Sequence, residues 1–374
     1  MSKEKGTSLG ALAWHKFRKD AAAIFGTVVI ISAIAMAFLG PLIAPDGSPN
    51  ANRQIIELAA KKPGSTFTFL KIPKTFVSEE TFLDRIFIGK QEAYSWIPIH
   101  DFFFSNDTLT IERYTGDTPN DGELASYPFS ALEAAGKTSA EIENERIETR
   151  TFWLGSDRFG RDMLSRMILG TRISLSIGFV AVGISLFIGI LLGSLAGFFR
   201  GWIDKVVMWF VTVVWSIPLL LLVIAITLAM GKGFWQVFVA VGMAMWVEVA
   251  RIVRGQILGI REKEYVEACR ALGFSNFRTI FRHILPNILG PVIVISAANF
   301  AAAILIEAGL SFLGIGAQPP IPSWGAMIKD HYGYIIMNKA YLAVIPGAAI
   351  LLMVLAFTLV GNGIRDALDV KGTR

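Results

Sequence analysis

The sequence contains few residues that form covalent cross-links or metal sites, and it carries little charge for its length. Its one cysteine, Cys269, excludes an internal disulfide and a cysteine-based metal cluster. The four histidines are spread over different predicted segments, so we expect no shared metal site. Charged residues make up 17% of the 374 residues, whereas a soluble domain carries about 25%. This composition disfavours a soluble protein and any function that depends on disulfides or clustered thiolates.

Motifs of common catalytic and nucleotide-binding sites are absent as well. The chain has no G-x-x-x-x-G-K-[S/T] phosphate loop, no H-E-x-x-H motif and no pair of cysteines at ligand spacing. We therefore predict no catalytic residue, no cofactor-binding residue, no metal ligand and no phosphate-loop ATP site in this chain. An enzyme is the class with least support, even one anchored in a membrane and built on residues 50–150.

Hydrophobic residues are abundant instead, at 53% of the chain with a mean hydropathy of +0.53. They form runs long enough to cross a hydrocarbon layer of about 30 Å, which takes roughly 20 helical residues. The runs predict six spans: 21–43, 173–199, 206–230, 234–250, 287–313 and 340–360. The first run is longer than the apolar stretch of a signal peptide, so we interpret it as a retained anchor.

Basic residues indicate which side of the membrane each connection faces. Lysine and arginine are frequent in residues 1–20 and most frequent in residues 251–286, between spans four and five. Because cytoplasmic loops are enriched in these residues, both regions and the C-terminal tail are predicted to be cytoplasmic. Residues 44–165 carry 19 acidic against 13 basic residues, and they are predicted to be external.

The fold class predicted from these patterns is an all-α polytopic membrane protein with six transmembrane helices. A small mixed α/β external insert stands between helices 1 and 2, because residues 66–70 and 108–111 alternate as strands do and residues 131–149 are typical of a charged helix. The insert faces a partner or the membrane surface, or it is a solvated loop without a specific task. The predicted order is a cytoplasmic tail (1–20), helix 1 (21–43), the external insert with the approach to helix 2 (44–171), helices 2–6 with their cytoplasmic segment (172–363) and a cytoplasmic tail (364–374).

The cytoplasmic segment 261–286 predicts a short helix, a sharp turn and a second helix. Four residues share one face of the first helix at helical spacing: Tyr265, Ala268, Cys269 and Leu272. Gly273 is suited to end this helix, Ser275 to cap the second, and Pro286 to limit the second at its far end. Such a helix suits docking into the groove of another protein. The alternative is an amphipathic connector on the lipid surface.

The same segment resembles the EAA loop of ABC importer permeases. Glu267-Ala268-Cys269, then Gly273, then Leu285-Pro286 follow that pattern, with Cys269 in place of the second alanine and His283 in place of an isoleucine. Residues 154–166, 307–314, 318–325 and 361–369 are similar to the dipeptide/oligopeptide (Dpp/Opp) permease C subunits, with an asparagine in the last stretch where aspartate is common. The resemblance covers the first span and residues 152–374, whereas residues 50–150 are longer than in typical members and resemble nothing assignable.

The resemblance implies the type I ABC importer permease fold and a shared mechanism. The chain would form half of a translocation path for di- or oligopeptides, in a heterodimer with a sister permease. Two ATP-binding subunits, which hold ATP and Mg, would drive transport, and an extracytoplasmic binding protein would deliver the cargo. The location implied is the bacterial inner membrane, and no nucleic acid is involved. Nickel chelates, peptide antibiotics and glycan fragments remain alternative cargoes, and a stand-alone secondary transporter remains an alternative mechanism.

The resemblance and the charge pattern together select the candidate residues. Coupling to the ATPase is implied for Tyr265, Glu267, Ala268, Cys269, Leu272, Gly273, Leu285 and Pro286. Glu307 and Ser311 are candidates for the substrate path or a gate; alternatively, the Ser311 hydroxyl, one turn away, satisfies the Glu307 carboxylate locally. Binding-protein docking or a local salt-bridge network is predicted for Asp157, Arg158, Arg161 and Asp162. Internal ion pairing is predicted for Glu248, Arg251 and Arg254.

Overall fold

The computed structural model describes residues 9–74, 81, 89–116, 118–231 and 233–368. Four basic residues of the two tails predicted to be cytoplasmic lie outside these ranges: Lys3, Lys5, Lys371 and Arg374. The helices are α1 (Leu9–Phe17), α2 (Ala21–Ile43), α3 (Ser139–Arg146), α4 (Met163–Phe199), α5 (Gly201–Trp215), α6 (Leu219–Met230), α7 (Phe234–Ile260), α8 (Glu264–Ala271), α9 (Asn276–Arg278), α10 (Leu289–Phe312), α11 (Trp324–His331) and α12 (Tyr341–Leu368). The strands are β1 (Ser65–Pro73), β2 (Tyr94–Ser105), β3 (Thr108–Arg113), β4 (Leu124–Pro128) and β5 (Ile147–Phe152).

Five helical runs are long and apolar enough to span a membrane, and a bent pair supplies a sixth. The five are α2, α4, α7, the run Asn276–Phe312 and α12, and the prediction of a six-span helical protein is confirmed on this count. The predicted third span, 206–230, is wrong as a single helix, because α5 and α6 meet at 93°. Pro218 lies at the break, where it has no amide hydrogen to donate and disfavours a helical residue before it.

The first of two compact units holds most of the membrane helices, comprising residues 1–34, 174–318 and 347–374. Helix α7 is its centre, since 67% of its most apolar stretch is buried against 17% for α2. Helices α4 and α7 approach closely because glycine recurs every fourth residue of α4, at Gly189, Gly193 and Gly197. A Cβ atom added at any of these would come within 3.0 Å of α7. Small residues at this spacing let membrane helices pack backbone to backbone.

The second unit comprises residues 35–173 and 319–346 and contains the insert. Its five strands form an antiparallel sheet in the order β4-β3-β2-β1-β5. Leu70, Leu109, Ile111 and Ile142 are fully buried in a core between the sheet and α3. The insert is therefore a folded subdomain, which excludes the alternative of a bare loop excursion.

The strands predicted at 66–70 and 108–111 are confirmed as parts of β1 and β3. The helix predicted over residues 131–149 is wrong in extent, because α3 covers only residues 139–146. Thr138 starts α3 with a capping box. From Ile147 onward the chain pairs with β1 instead, so sheet formation ends the helix.

Candidate functional site

Helix α8 ends in a turn that only glycine adopts without strain. Gly273 has φ = +73°, a conformation that costs other L-residues roughly 1–2 kcal/mol. The amide of Phe274 donates to the carbonyl of Cys269 at 3.0 Å, and the amide of Gly273 donates to that of Arg270 at 2.9 Å. This pair of bonds is the Schellman arrangement. The predicted helix stop at Gly273 is confirmed, and the turn has a fixed geometry.

The second helix begins as predicted but does not end where predicted. The hydroxyl of Ser275 accepts a hydrogen bond from the amide of Arg278 at 3.3 Å, so Ser275 is the N-cap. Pro286 does not terminate the helix, because the helical run continues from Asn276 to Phe312. Pro286 lies near the start of the 3₁₀ turn Leu285–Ile288. A residue at this position makes no helical hydrogen bond through its amide, so proline is tolerated there. The segment is therefore continuous with the transmembrane helix α10.

One side of α8 is anchored in the core of the first unit. Val266 is fully buried and Cys269 is 6% exposed. Val266 belongs to a cluster that includes Ile257 of α7 and Ile284, with half-buried Leu285 packed against it. The predicted four-residue face is wrong in one member, because Cys269 lies on this buried side. The other three members are exposed: Tyr265, Ala268 and Leu272.

The exposed side of this segment carries an apolar patch, which we call the coupling surface. Its apolar members are Tyr265, Ala268, Leu272, Phe277 and Phe281, and Glu267, which is exposed on the same helix as the first three, is counted with them. Leu272 and Phe277 are 71% and 70% exposed, and the rings of Phe277 and Phe281 lie 4.3 Å apart. Exposed apolar groups on a connection between two spans contact either another protein or the lipid surface. The two phenylalanines escaped the sequence analysis, although their spacing of four residues was a usable signal.

Side-chain contacts hold the turn between α8 and the second helix. The ring of Phe274 stacks on His283 at 5.5 Å, and the guanidinium of Arg278 lies 4.3 Å above the same ring. The side-chain Nδ2 of Asn287 donates to the Tyr265 hydroxyl at 3.3 Å and to the backbone carbonyl of His283 at 2.7 Å. These contacts join the two helices, so the coupling surface moves with the helical run that leads into α10.

The charged cluster before α4 is largely buried, in contrast to the coupling surface. Asp157, Arg161 and Asp162 are 0%, 3% and 8% exposed. The Asp157 carboxylate accepts from the Arg161 side chain at 2.6 Å and from the amides of Phe159 and Arg161, and it lies 3.6 Å from Arg166. Burial disfavours the docking interpretation for these three residues: Asp157 and Arg161 pair with each other, and the Asp162 carboxylate accepts from the backbone amide of Ser165 at 2.7 Å. The salt-bridge network is the arrangement present.

Two positions in the stretch 154–166 require glycine for steric reasons. Gly155 and Gly160 have φ values of +76° and +72°. A Cβ atom at Gly160 would lie 1.7 Å from the carbonyl oxygen of Ile55, and one at Gly155 would lie 2.3 Å from that of Lys61. Side chains have no room at either position. This part of the resemblance to Dpp/Opp permeases is therefore a folding requirement of the second unit.

Arg158 is the exposed member of the cluster, and it lies beside a buried histidine. Its guanidinium pairs with Asp330 at 3.0 Å, and its side chain is 39% exposed. Its amide donates to Nε2 of His331 at 3.3 Å, while Nδ1 of that ring contacts the carbonyl of Met327 at 2.6 Å. Burial lowers the pKa of His331. The neutral ring is thus the form that fits this site.

Glu307 and Ser311 form the local pair that their spacing predicts. The hydroxyl of Ser311 donates to the Glu307 carboxylate at 2.6 Å, and the two residues are 1% and 2% exposed. The same hydroxyl oxygen accepts from the amide of Ala317 at 3.2 Å. The pair therefore ties the end of α10 to the loop that follows it, and the predicted substrate or gating role stays a prediction.

The ion pairing predicted within α7 is wrong, because the partners come from α5. Arg254 makes a bidentate pair with Asp204 at 2.5 and 2.7 Å. Arg251 lies 3.8 Å above the ring of Trp215. Glu248 makes no hydrogen bond or ion pair with the part of the chain that the structure describes. The two arginines therefore join α5 to α7, and neither of them pairs with the Glu248 carboxylate.

Comparison with known proteins gives matches at both the family and the protein level. Residues 189–371 match the family described as binding-protein-dependent transport system inner membrane component. Residues 8–60 match the N-terminal transmembrane domain of oligopeptide transport permease C. Residues 61–188, which include the sheet of the insert, lie outside both matches.

Three curated proteins illustrate the similarity. The glutathione transport system permease protein GsiD of Pectobacterium atrosepticum is 42% identical over 219 residues, 59% of this chain and 72% of that protein. The dipeptide transport system permease protein DppC of Alkalihalophilus pseudofirmus is 41% identical over the same shares. The oligopeptide transport system permease protein OppC of Bacillus subtilis is 36% identical over 234 residues, 63% of this chain and 76% of that protein.

Proposed function

Because the chain belongs to the family of binding-protein-dependent transport system inner membrane components, and there to the Dpp/Opp permease C subunits, we propose that it forms half of the translocation path of a peptide importer. The relatives are named for glutathione, dipeptide and oligopeptide transport. These cargoes share peptide chemistry, and peptides are accordingly the cargo class we assign.

The assembly proposed has four further components. A sister permease pairs with this chain as a heterodimer, two ATP-binding subunits supply the energy, and an external binding protein delivers the peptide. The matched family is itself described as binding-protein-dependent. ATP and Mg belong to the ATP-binding subunits, and this chain contributes transport without hydrolysing ATP. The fifth component is the chain described above.

The observation that carries this proposal is the coupling surface. Its apolar residues are exposed although the segment lies between two membrane spans and has an anchored opposite side. An amphipathic helix that presents such a face fits a groove on a partner. We assign that groove to an ATP-binding subunit, and Glu267, Ala268, Leu272 and Gly273 to the contact.

Coupling follows from how α8 is fastened. When the ATP-binding subunits close, they displace the docked α8. Val266 transmits this displacement to α7, and the stacked turn transmits it to α10, since both connections are buried or hydrogen-bonded. The membrane helices then change from inward-facing to outward-facing. A flexible link at Gly273 would dissipate the motion, whereas the two Schellman bonds hold the turn.

Orientation is part of the same proposal. The coupling surface has to face the cytoplasm, where the ATP-binding subunits are, and the basic residues of segment 251–286 agree with this side. Both termini then lie in the cytoplasm and the insert lies outside, at the bacterial inner membrane. In this arrangement Arg158 is the one residue of the buried cluster that remains a candidate for binding-protein docking.

The test uses the complete transporter in proteoliposomes. ATP hydrolysis and peptide uptake are measured with and without binding protein and peptide, for the wild type, Glu267→Lys and the control Glu143→Lys. Glu143 is exposed on α3, within the insert. We expect Glu267→Lys to reduce stimulated hydrolysis and uptake at least tenfold, about 1.4 kcal/mol, because charge reversal opposes docking. Glu143→Lys should behave as the wild type.

Two results would contradict the proposal in different ways. A wild-type complex that hydrolyses ATP without any response to binding protein and peptide removes the importer function. Normal uptake by Glu267→Lys, with normal assembly, removes the coupling role of α8 and reduces segment 261–286 to a connector.

A further inference from the structure

A cavity of about 250 Å³ lies in the first unit, where the bent span meets two straight helices. Trp215 and Pro218 line it from the bend, Met245 and Glu248 from α7, and Asn299 from α10. Irregular backbone at membrane depth occurs where it lines a cavity, and broken helices of transporters form substrate sites in this way. The cavity therefore has the setting of a binding site.

Asn299 supplies a hydrogen-bond donor without an acceptor. The residue is 2% exposed, and within the described residues its Nδ2 atom has no hydrogen-bond partner. A buried polar group left in this state costs roughly 1–3 kcal/mol. Asn299 lines the cavity, although its Nδ2 atom is closed to solvent in this state. A turn of the side chain toward the cavity would let an acceptor bound there, such as a peptide carbonyl, remove this cost.

Glu248 supplies a negative charge that has no cation partner among the residues the structure describes. It is the fifteenth residue of the 27-residue helix α7 and so lies near mid-span. A carboxylate at the centre of a membrane costs about 2.5–3.5 kcal/mol. The neighbouring arginines do not compensate it, since Arg251 lies on Trp215 and Arg254 pairs with Asp204. Charged groups in membrane helices mark pathways for ions or substrates.

The remaining lining of the cavity is apolar. It includes Val214, Leu219, Leu222, Ala244 and Ala302. These side chains offer no hydrogen bonds, so they accommodate hydrophobic groups without selecting one. A donor, a carboxylate and an apolar wall together match a peptide terminus: an ammonium group, the carbonyl next to it and a side chain.

We propose that this cavity is a cargo subsite that binds the amino-terminal end of a peptide. Glu248 binds the ammonium group, Asn299 donates to the first peptide carbonyl, and the bend at Pro218 opens the space between α5, α6 and α7. Every peptide with a free amino terminus has these features, so the subsite recognises backbone groups and does not select among side chains. This inference rests on the proposed function and adds the substrate group that the membrane helices recognise.

Binding is measured on the complete transporter in lipid nanodiscs, without binding protein. Radiolabelled trialanine is titrated up to millimolar concentration, and N-acetyl-trialanine is used as competitor. We expect saturable binding to the wild type, with the acetylated peptide at least tenfold weaker because it lacks the ammonium group. Glu248→Gln should lose this discrimination, and Glu248→Asp should retain most of it.

Two further variants separate recognition from folding. Asn299→Leu should weaken binding of both peptides about equally, since the carbonyl is present in each. Glu143→Gln makes the same change of charge in the insert, and it should bind both peptides as the wild type does. Assembly and basal ATP hydrolysis are compared for all variants.

Absence of saturable binding to the wild type overturns the inference, and so does unchanged discrimination in Glu248→Gln. Equal loss of both peptides in Glu248→Gln also overturns it, because the carboxylate would then serve packing or a partner subunit. Failure of the proposed function has a different signature, since it appears as a lack of ATP-dependent uptake in proteoliposomes with binding protein present.

Discussion

Two charge-rich turns in this chain look alike in sequence and differ in structure. The turn after α8 and the turn before α4 each combine arginines, carboxylates and a glycine with positive φ. Around Gly273 there is open space, with nothing within 4 Å of a Cβ added there, whereas a Cβ at Gly160 would collide with the carbonyl of Ile55. The first turn supports an exposed apolar surface and the second supports a buried ion-pair network. Charge density alone therefore does not identify a docking surface, because similar charges occur in an exposed turn and in a buried one.

The two turns also differ in what a substitution should disturb. Groups on the coupling surface are exposed, so their replacement should leave folding intact and affect docking. Groups around Asp157 are buried and satisfied by one another. Their replacement should unfold part of the second unit, because an uncompensated buried charge is far more costly than a lost surface contact.

The largest effect is expected from Asp157→Asn. The substitution keeps the size of the side chain but leaves the guanidinium groups of Arg161 and Arg166 buried without a carboxylate between them. We expect the second unit to lose about 3–5 kcal/mol of stability. Hydrogen exchange followed by mass spectrometry over residues 155–166 measures the loss as faster exchange.

Arg158→Ala is the matched control for this prediction. Its pair with Asp330 is partly exposed, and such pairs contribute about 0–1 kcal/mol. Equal rates of hydrogen exchange over residues 155–166 in Asp157→Asn and Arg158→Ala would show that the network does not stabilise this turn. The same conclusion would follow if Asp157→Asn only weakened contact with the binding protein.

A smaller effect is expected from pH. Burial lowers the pKa of His331 from its ordinary value of 6.5, although the carboxylates of Asp157 and Asp330 act in the opposite direction and Arg158 acts with burial. As the pH falls through 6.5, the unfolded chain takes up a proton before the folded chain does, so the folded state loses stability. Protonation also removes the acceptor of the Arg158 amide, and one hydrogen bond contributes about 1 kcal/mol.

The effect is measured as the rate of hydrogen exchange of the Arg158 backbone amide at pH 7.5 and at pH 6, corrected for the intrinsic exchange rates. The variant His331→Gln should show no such pH dependence. Asp162, whose pKa burial raises, contributes with the opposite sign in both proteins, so the comparison cancels it. Identical pH profiles for the two proteins would remove His331 as the cause.

Much of the fold was predictable because it depends on local patterns. Apolar runs locate the membrane helices, alternation locates β1 and β3, and Gly273 marks the end of α8. The bend at Pro218 was missed because a hydropathy window averages over one proline. Asn299 was missed because only charged residues were considered within the spans.

The burial of the Asp157 cluster was not predictable from local sequence. Arg161 donates to the side chain of Asn52, 109 residues away in the chain, at 3.0 Å. Arg166 similarly reaches the carbonyl of Asn50. The charges around Asp157 become a network only when the segment before the sheet folds against the approach to α4. Analysis of a window of about ten residues cannot identify hydrogen-bond partners that lie so far away in the chain.

The coupling surface is the central claim, and photo-crosslinking tests it most directly. Benzoylphenylalanine is placed at Leu272 in the assembled transporter, and in a second protein at Leu124 of β4, which is 65% exposed against 71% for Leu272. After irradiation, mass spectrometry identifies the partner of each position. We predict that position 272 crosslinks to an ATP-binding subunit and that position 124 does not. Adducts of position 272 with lipid alone, or equal crosslinking of both positions to that subunit, would contradict the assignment of α8 as the docking helix.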